Sequence, residues 1–116
     1  MMKSILGILL VTSLFAFNSE QIFNTSVKIN VRNELGNIEE GVAVQLFATE
    51  KDYREETNPV TDILHTDKKG NVKFSELEGK AYFINASKGD KNNVGAGVQT
   101  APLEESKINK LTIIIE

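Results

Sequence analysis

Val27, Ile29 and Val31 alternate with Lys28, Asn30 and Arg32, and this period of two constrains the fold more than any other feature. Successive side chains of a strand leave on opposite faces, so these six residues give one apolar and one polar face. A helix of the same residues would scatter its apolar groups around the circumference. The pattern returns at Val42, Val44, Leu46 and Ala48, at Val72, Phe74 and then Leu77, at Tyr82, Ile84 and Ala86, and at Leu111, Ile113 and Ile115. Weaker runs span Val60 to Thr66 and Val98 to Thr100, where Pro102 ends the second or keeps it at an edge. Turn residues separate the runs. Gly36 in Asn33 to Asn37 can take positive φ, and Asp67 and Gly70 occupy the first and fourth places of a type I turn. In that turn the Asp side chain caps backbone amides. Gly89 to Gly97 reads as a polar, glycine-rich loop. Glu50 to Pro59 holds six charges in ten residues and reads as a loop or one short polar helical turn. The expectation is an all-β fold, a small antiparallel β-sandwich of about seven strands. Its expected core is Val27, Ile29, Val31, Val44, Leu46, Val72, Phe74, Leu77, Tyr82, Ile84, Leu111 and Ile113.

The N-terminus obeys a different rule. Lys3 supplies a positive start, and Ile5 to Phe17 then carries no charge. This reads as a secretory signal peptide, because a membrane-spanning helix needs about 20 apolar residues and the run is shorter. Cutting after Ala16 puts Leu14 at the minus-three place, and cutting after Ser19 puts Phe17 there. Residues 1–19 are therefore expected to be a signal peptide and short leader, cleaved near 16 or 19, and residues 25–116 the domain. An uncleaved anchor is the alternative. After cleavage the chain is expected to have no stable membrane insertion and to be secreted or periplasmic.

The 116 residues suit one small domain, and the apolar fraction of 41% is too high for a wholly disordered chain. A formal charge of -3 gives no electrostatic reason to bind nucleic acid. With no cysteine there is no disulfide framework, thiol nucleophile or thiolate zinc site. Packing and sheet hydrogen bonds must then carry the stability.

Three stretches together resemble a known family: Gly41-Val42-Ala43-Val44-Gln45-Leu46, Thr66-Asp67-Lys68-Lys69-Gly70-Asn71-Val72-Lys73-Phe74-Ser75-Glu76-Leu77, and Tyr82-Phe83-Ile84-Asn85-Ala86. They look like a carboxypeptidase-regulatory-like domain, which has the transthyretin-like (prealbumin-like) sandwich, over roughly residues 25–116. One departure is visible. The family usually has glycine two residues before the tyrosine, whereas here that place is Lys80 and Gly79 stands one earlier. The resemblance implies a non-catalytic accessory, adhesive or structural module of an exported bacterial protein, and it carries over no active site. The hydroxyisourate hydrolases share the fold but use several histidines, an arginine and a C-terminal Tyr-Arg-Gly-Ser. This chain has one histidine and ends Thr112-Ile113-Ile114-Ile115-Glu116.

Chemistry-bearing residues are few. His65 is the single histidine, and with Asp67 and one of Ser75, Ser87 or Ser106 it allows a hydrolase reading. No serine stands on an elbow between glycines, so a strand-end histidine beside a turn is the simpler account. Asp90-Lys91-Asn92-Asn93-Val94-Gly95 resembles the start of a calcium loop. Place five is Val94 and place twelve Ala101, where oxygen ligands are required, so a polar turn is expected. The pairs Glu39-Glu40, Glu55-Glu56 and Glu104-Glu105 read as solvated neighbours rather than converging carboxylates. A Lys–Asn isopeptide bond, as in related pilin and adhesin sandwiches, is not expected, because alternation points Lys28 away from the core. No cofactor is implied.

Phe47, Phe83 and Ile114 fall in the phase opposite to the core positions of their strands. Alternation sends them to outer sheet faces, where they form a candidate partner surface unless Glu50 to Pro59 folds over them. The expected partner is an unknown protein or glycan of the cell envelope or surroundings. A carbohydrate-binding module is a further alternative, with Tyr53 as its one candidate aromatic.

Overall fold

The computed structural model describes residues 24–116, so the expected leader lies outside the described residues. Among the described residues, seven strands and one short helix occur in the order β1 (Thr25–Asn33), β2 (Ala43–Phe47), α1 (Glu50–Glu55), β3 (Leu64–His65), β4 (Asn71–Leu77), β5 (Phe83–Lys88), β6 (Lys91–Asn92) and β7 (Ile108–Ile115). They form two sheets, one ordered β4-β1-β7 and the other β3-β2-β5-β6. All pairings are antiparallel except β1 with β7, which run parallel with Ile29 beside Leu111 and Val31 beside Ile113. The chain is a small β-sandwich.

Alternation builds its core. Val27, Ile29 and Val31 of β1 are fully buried, and so are Val44 and Leu46 of β2. Phe74, Tyr82, Ile84 and Ala86 join them, with Val42, Leu103, Ile113 and Ile115 closing the cluster. Leu77 and Leu111 are half-buried and pack against its margin. Leu77 returns to the core side after a bulge, because Val27 faces Phe74 while Thr25 faces Leu77, and Glu76 absorbs the extra residue at φ 58°. Leu111 lies on the edge strand β7.

Local chemistry fixes the turns. The Asp67 carboxylate accepts from the amides of Lys69 and Asn71, and the Gly70 amide donates to the Asp67 carbonyl. Gly70 has φ 78°, and a side chain there would come within 2.7 Å of Ile38 Cγ2 and 3.0 Å of the Val31 carbonyl. Before Tyr82, where Lys80 replaces the expected glycine, the loop still closes. The Tyr82 hydroxyl accepts from the Glu78 amide at 2.9 Å, and the ring is buried.

Two regions differ from the pattern reading. The Val98 to Thr100 run is not a strand. It makes a single bridge, Phe83 to Gln99, beside the start of β5. The Gly89 to Gly97 region contributes a two-residue strand, β6, because the tight turn at Gly89 folds Lys91 and Asn92 back onto β5.

Candidate functional site

The outer face of the four-stranded sheet is the most elaborated surface. Phe47 and Phe83 are direct cross-strand partners on it, flanked by the pair Gln45 and Asn85 and the pair Ala43 and Ser87. Alternation places them there, opposite to Leu46 and Ile84. Helix α1 then covers them. Thr49 caps the helix by accepting the Asp52 amide, and Glu56 ends it in the left-handed conformation at φ 55°. Six residues are too few for a helix to persist alone, so its packing must hold it. Tyr53 supplies that packing. Its ring meets Phe47 edge-on at 6.2 Å and stacks on Phe83 at 6.1 Å. Both separations suit attractive aromatic geometry.

Phe47 is in consequence only 1% exposed, although it faces away from the core. Phe83 is half-buried, and Ile114, also half-buried, lies on the other sheet beside Arg32. The three do not form one open patch, because the chain fills the space over Phe47 with its own Tyr53.

Beside this cluster a groove of about 650 Å³ runs between α1 and the β5–β6 hairpin. Tyr53 forms its aromatic wall, the Glu50–Arg54 ion pair one rim, and Asn85, Ser87 and Asn92 its polar floor. Burial pushes the Tyr53 phenol above its ordinary pKa, and Glu56 adds to the rise against Arg54. The arrangement offers one aromatic face, amide and hydroxyl groups and a charged pair, which together suit a neutral polar ligand. Sequence reasoning singled out Tyr53 but missed Asn85, Ser87 and Asn92. Their outward phase was readable in the strands, but not that α1 would wall them in.

His65 is exposed on the edge strand β3, opposite Ala43. The Asp67 carboxylate is held below the usual carboxylate range by the Asn71 amide and then the Lys69 amide. Among the described residues no hydrogen bond joins His65 to Asp67, Ser75, Ser87 or Ser106. In the Asp90 to Gly97 loop Asn93 is fully buried, and its side chain bonds the Ala86 amide and the carbonyls of Ile84 and Gly97. It organises the loop from within. Among the described residues no group of three or more His, Cys, Asp or Glu is placed to hold a metal ion. Among them, too, no helix is long and apolar enough to cross a membrane.

No family model and no curated protein matches the chain. A solved structure described as "Structure of the Streptococcal ancillary pilin" is similar in fold, with a TM-score of 0.55 at 20% identity. The likeness covers 80% of this chain and 32% of that one, so the chain spans about a third of the pilin's length.

Proposed function

We propose that the chain is a non-catalytic exported module, adhesive or accessory, that binds a partner of the cell envelope. The observation that carries this reading is the groove on the four-stranded sheet, where the Tyr53 ring stands beside the polar groups of Asn85, Ser87 and Asn92. The fold likeness to an ancillary pilin and the resemblance to carboxypeptidase-regulatory-like domains support it. Under this reading residues 1–19 direct export and the chain works outside the cytoplasm. Phe83, the more accessible ring of the aromatic pair, and Ile114 on the opposite sheet remain partner-contact candidates, while Phe47 lies beside Phe83 and is buried under Tyr53. Fractionation of producing cells tests export: the chain is expected outside the cytoplasm without Met1 at its N-terminus, and a cytoplasmic chain beginning at Met1 would overturn the reading.

A glycan is the ligand class favoured by a specific observation, the Tyr53 ring beside Asn85, Ser87 and Asn92. Titration with neutral oligosaccharides should give binding that Asn85→Ala with Ser87→Ala weakens while the melting temperature holds. Retained binding in that variant would place any glycan site elsewhere. Phe83→Ser should weaken capture of an envelope partner and, because it removes the ring on which Tyr53 stacks, cost about 1 to 2 kcal/mol of stability without unfolding the domain.

A further inference from the structure

The outer face of the three-stranded sheet is basic, and among the described residues no helix packs over it. Lys28 of β1 stands directly opposite Lys73 of β4 and directly beside Lys110 of β7. With strands about 4.8 Å apart, the three stems form one row about 10 Å long across the sheet. Like charges placed opposite one another destabilise a sheet. None of the three lysines is relieved by an ion pair, for the pairs among the described residues engage Arg54, Lys80, Lys88, Lys91 and Lys107. Asp67 is the nearby carboxylate, and the amides of its own turn already hold it. A chain with a net charge of -3 thus gathers three unpaired ammonium groups in a single row. The facing lysines cost the free protein stability, and only the attraction between Lys28 and the nearby Asp67 carboxylate offsets part of that cost.

The surroundings specify what would relieve it. A groove of about 310 Å³ includes Lys28, Lys73 and Lys110, and a second of about 370 Å³ continues along the strands past Asn71, Thr112 and Arg32. Lys28, Asn71 and Lys110 line both, so the two form one open track. An open track suits a polymer better than an enclosed small ion. The polar side chains along it are ammonium, guanidinium, amide and hydroxyl groups, with the Asp67 carboxylate and the exposed Ile108 at the lysine end and no aromatic ring on which a base or sugar would stack. Compact lysine charges suit phosphate oxygens, and the acidic remainder of the molecule turns this face toward an anion. We propose that this face binds a linear polyol phosphate polymer, with the lysine row on its phosphodiesters and Thr112 and Asn71 near its hydroxyl groups. The proposal rests on the exported-module reading only for where such a polymer is met. Binding by the purified chain tests the face alone, whereas fractionation tests export, so the two fail separately.

Titration of the full chain with purified glycerol phosphate polymer, at about 50 and 200 mM salt, provides the test. Saturable binding that weakens as salt rises is expected. Replacing Lys28, Lys73 and Lys110 together by Gln should weaken it about tenfold or more, while the melting temperature holds or rises. The three Arg replacements should retain binding. Neutralising Lys51, Lys80 and Lys107 instead should change affinity less than about twofold, because those charges lie off the track. Equal loss in both neutralised triples would show that net charge alone is responsible, and unchanged affinity in the first would show that the row takes no part; either overturns the proposal. Equal binding of poly-L-glutamate would remove the choice of phosphate. Binding of phosphatidylglycerol vesicles without binding of the polymer would assign the face to a membrane and end the proposal.

Discussion

The two outer faces of this sandwich arise from the same alternation and end in opposite conditions. On the four-stranded sheet the outward residues Phe47 and Phe83 are aromatic, and the next segment of chain, α1, folds back to place Tyr53 on them. On the three-stranded sheet the outward residues of β1 are Lys28, Asn30 and Arg32, and no helix of the described residues covers them. The difference lies in the segment at the end of each strand. Thr49 after β2 caps a helix, whereas Asn33 at the end of β1 organises a tight turn by accepting the amides of Leu35 and Asn37. A period of two assigns a side chain to a face. It does not say whether that face meets water, a neighbouring segment or a partner.

The largest effects should fall on buried rings, whichever face they occupy. Phe74→Ala in the core and Phe47→Ala beneath α1 should each cost about 3 to 5 kcal/mol in denaturant unfolding, because both leave a cavity. Ile114→Ala, on the uncovered face, should cost less than about 1 kcal/mol, as ordinary surface changes do. If Phe47→Ala also costs less than about 1 kcal/mol, α1 does not cover the ring in solution and the contrast between the faces collapses.

Tyr53→Ala probes the cover itself. The ring is half-buried with two aromatic partners, so its loss should cost about 1 to 2 kcal/mol and release α1, seen as faster amide exchange over Glu50 to Glu55. A smaller response is expected where β1 is tied to the β5–β6 hairpin. Glu39 is buried there, and Lys88, then Asn33 and Lys91, hold its carboxyl below the usual carboxylate range. A depressed folded pKa means that the stabilisation is present above the unfolded value of about 4.3 and disappears as pH falls through the lower folded value. Glu39→Gln should therefore flatten the acid limb of the stability profile and leave its shape near pH 7 unchanged. A wild-type acid limb retained in the variant would assign the pH dependence to other carboxylates, such as Asp67.

How much of this was legible in the sequence depends on the range of each signal. The core was readable because burial in a sandwich obeys a local period, and Val27 through Ile113 fell where that period put them, with Leu77 and Leu111 at the margin. The Asp67–Gly70 turn was readable because its hydrogen bonds join residues at most four apart in sequence. The parallel pairing of β1 with β7 was not, since it joins residues more than 80 positions apart. The candidate groove was half legible. Tyr53 stood out as an aromatic in a charged loop, but its meeting with Asn85, Ser87 and Asn92 depends on α1 crossing the sheet. The lysine row was invisible for the same reason: Lys28, Lys73 and Lys110 are each ordinary surface lysines until the sheet sets them side by side.

That row yields the smallest expected effect and the most direct test of the uncovered face. Lys73→Glu would set a carboxylate opposite Lys28 in an antiparallel pair, replacing a repulsion by an attraction without touching the core. Cross-strand charge pairs are worth about 0.2 to 1 kcal/mol, so the variant should gain stability of that order and melt a few degrees higher. Lys73→Gln, which removes the repulsion and adds no attraction, should fall between the variant and the wild type. The gain should shrink as salt rises toward 1 M, where the screening length falls to about 3 Å, shorter than the spacing of the pair. The same Lys73→Glu protein should bind an anionic polymer less well, so stability and binding move in opposite directions. A loss of stability in Lys73→Glu would mean that the three ammonium groups do not repel one another in solution. The outer face of β1 would then be an ordinary solvated surface, no more committed to a partner than any other lysine-bearing strand.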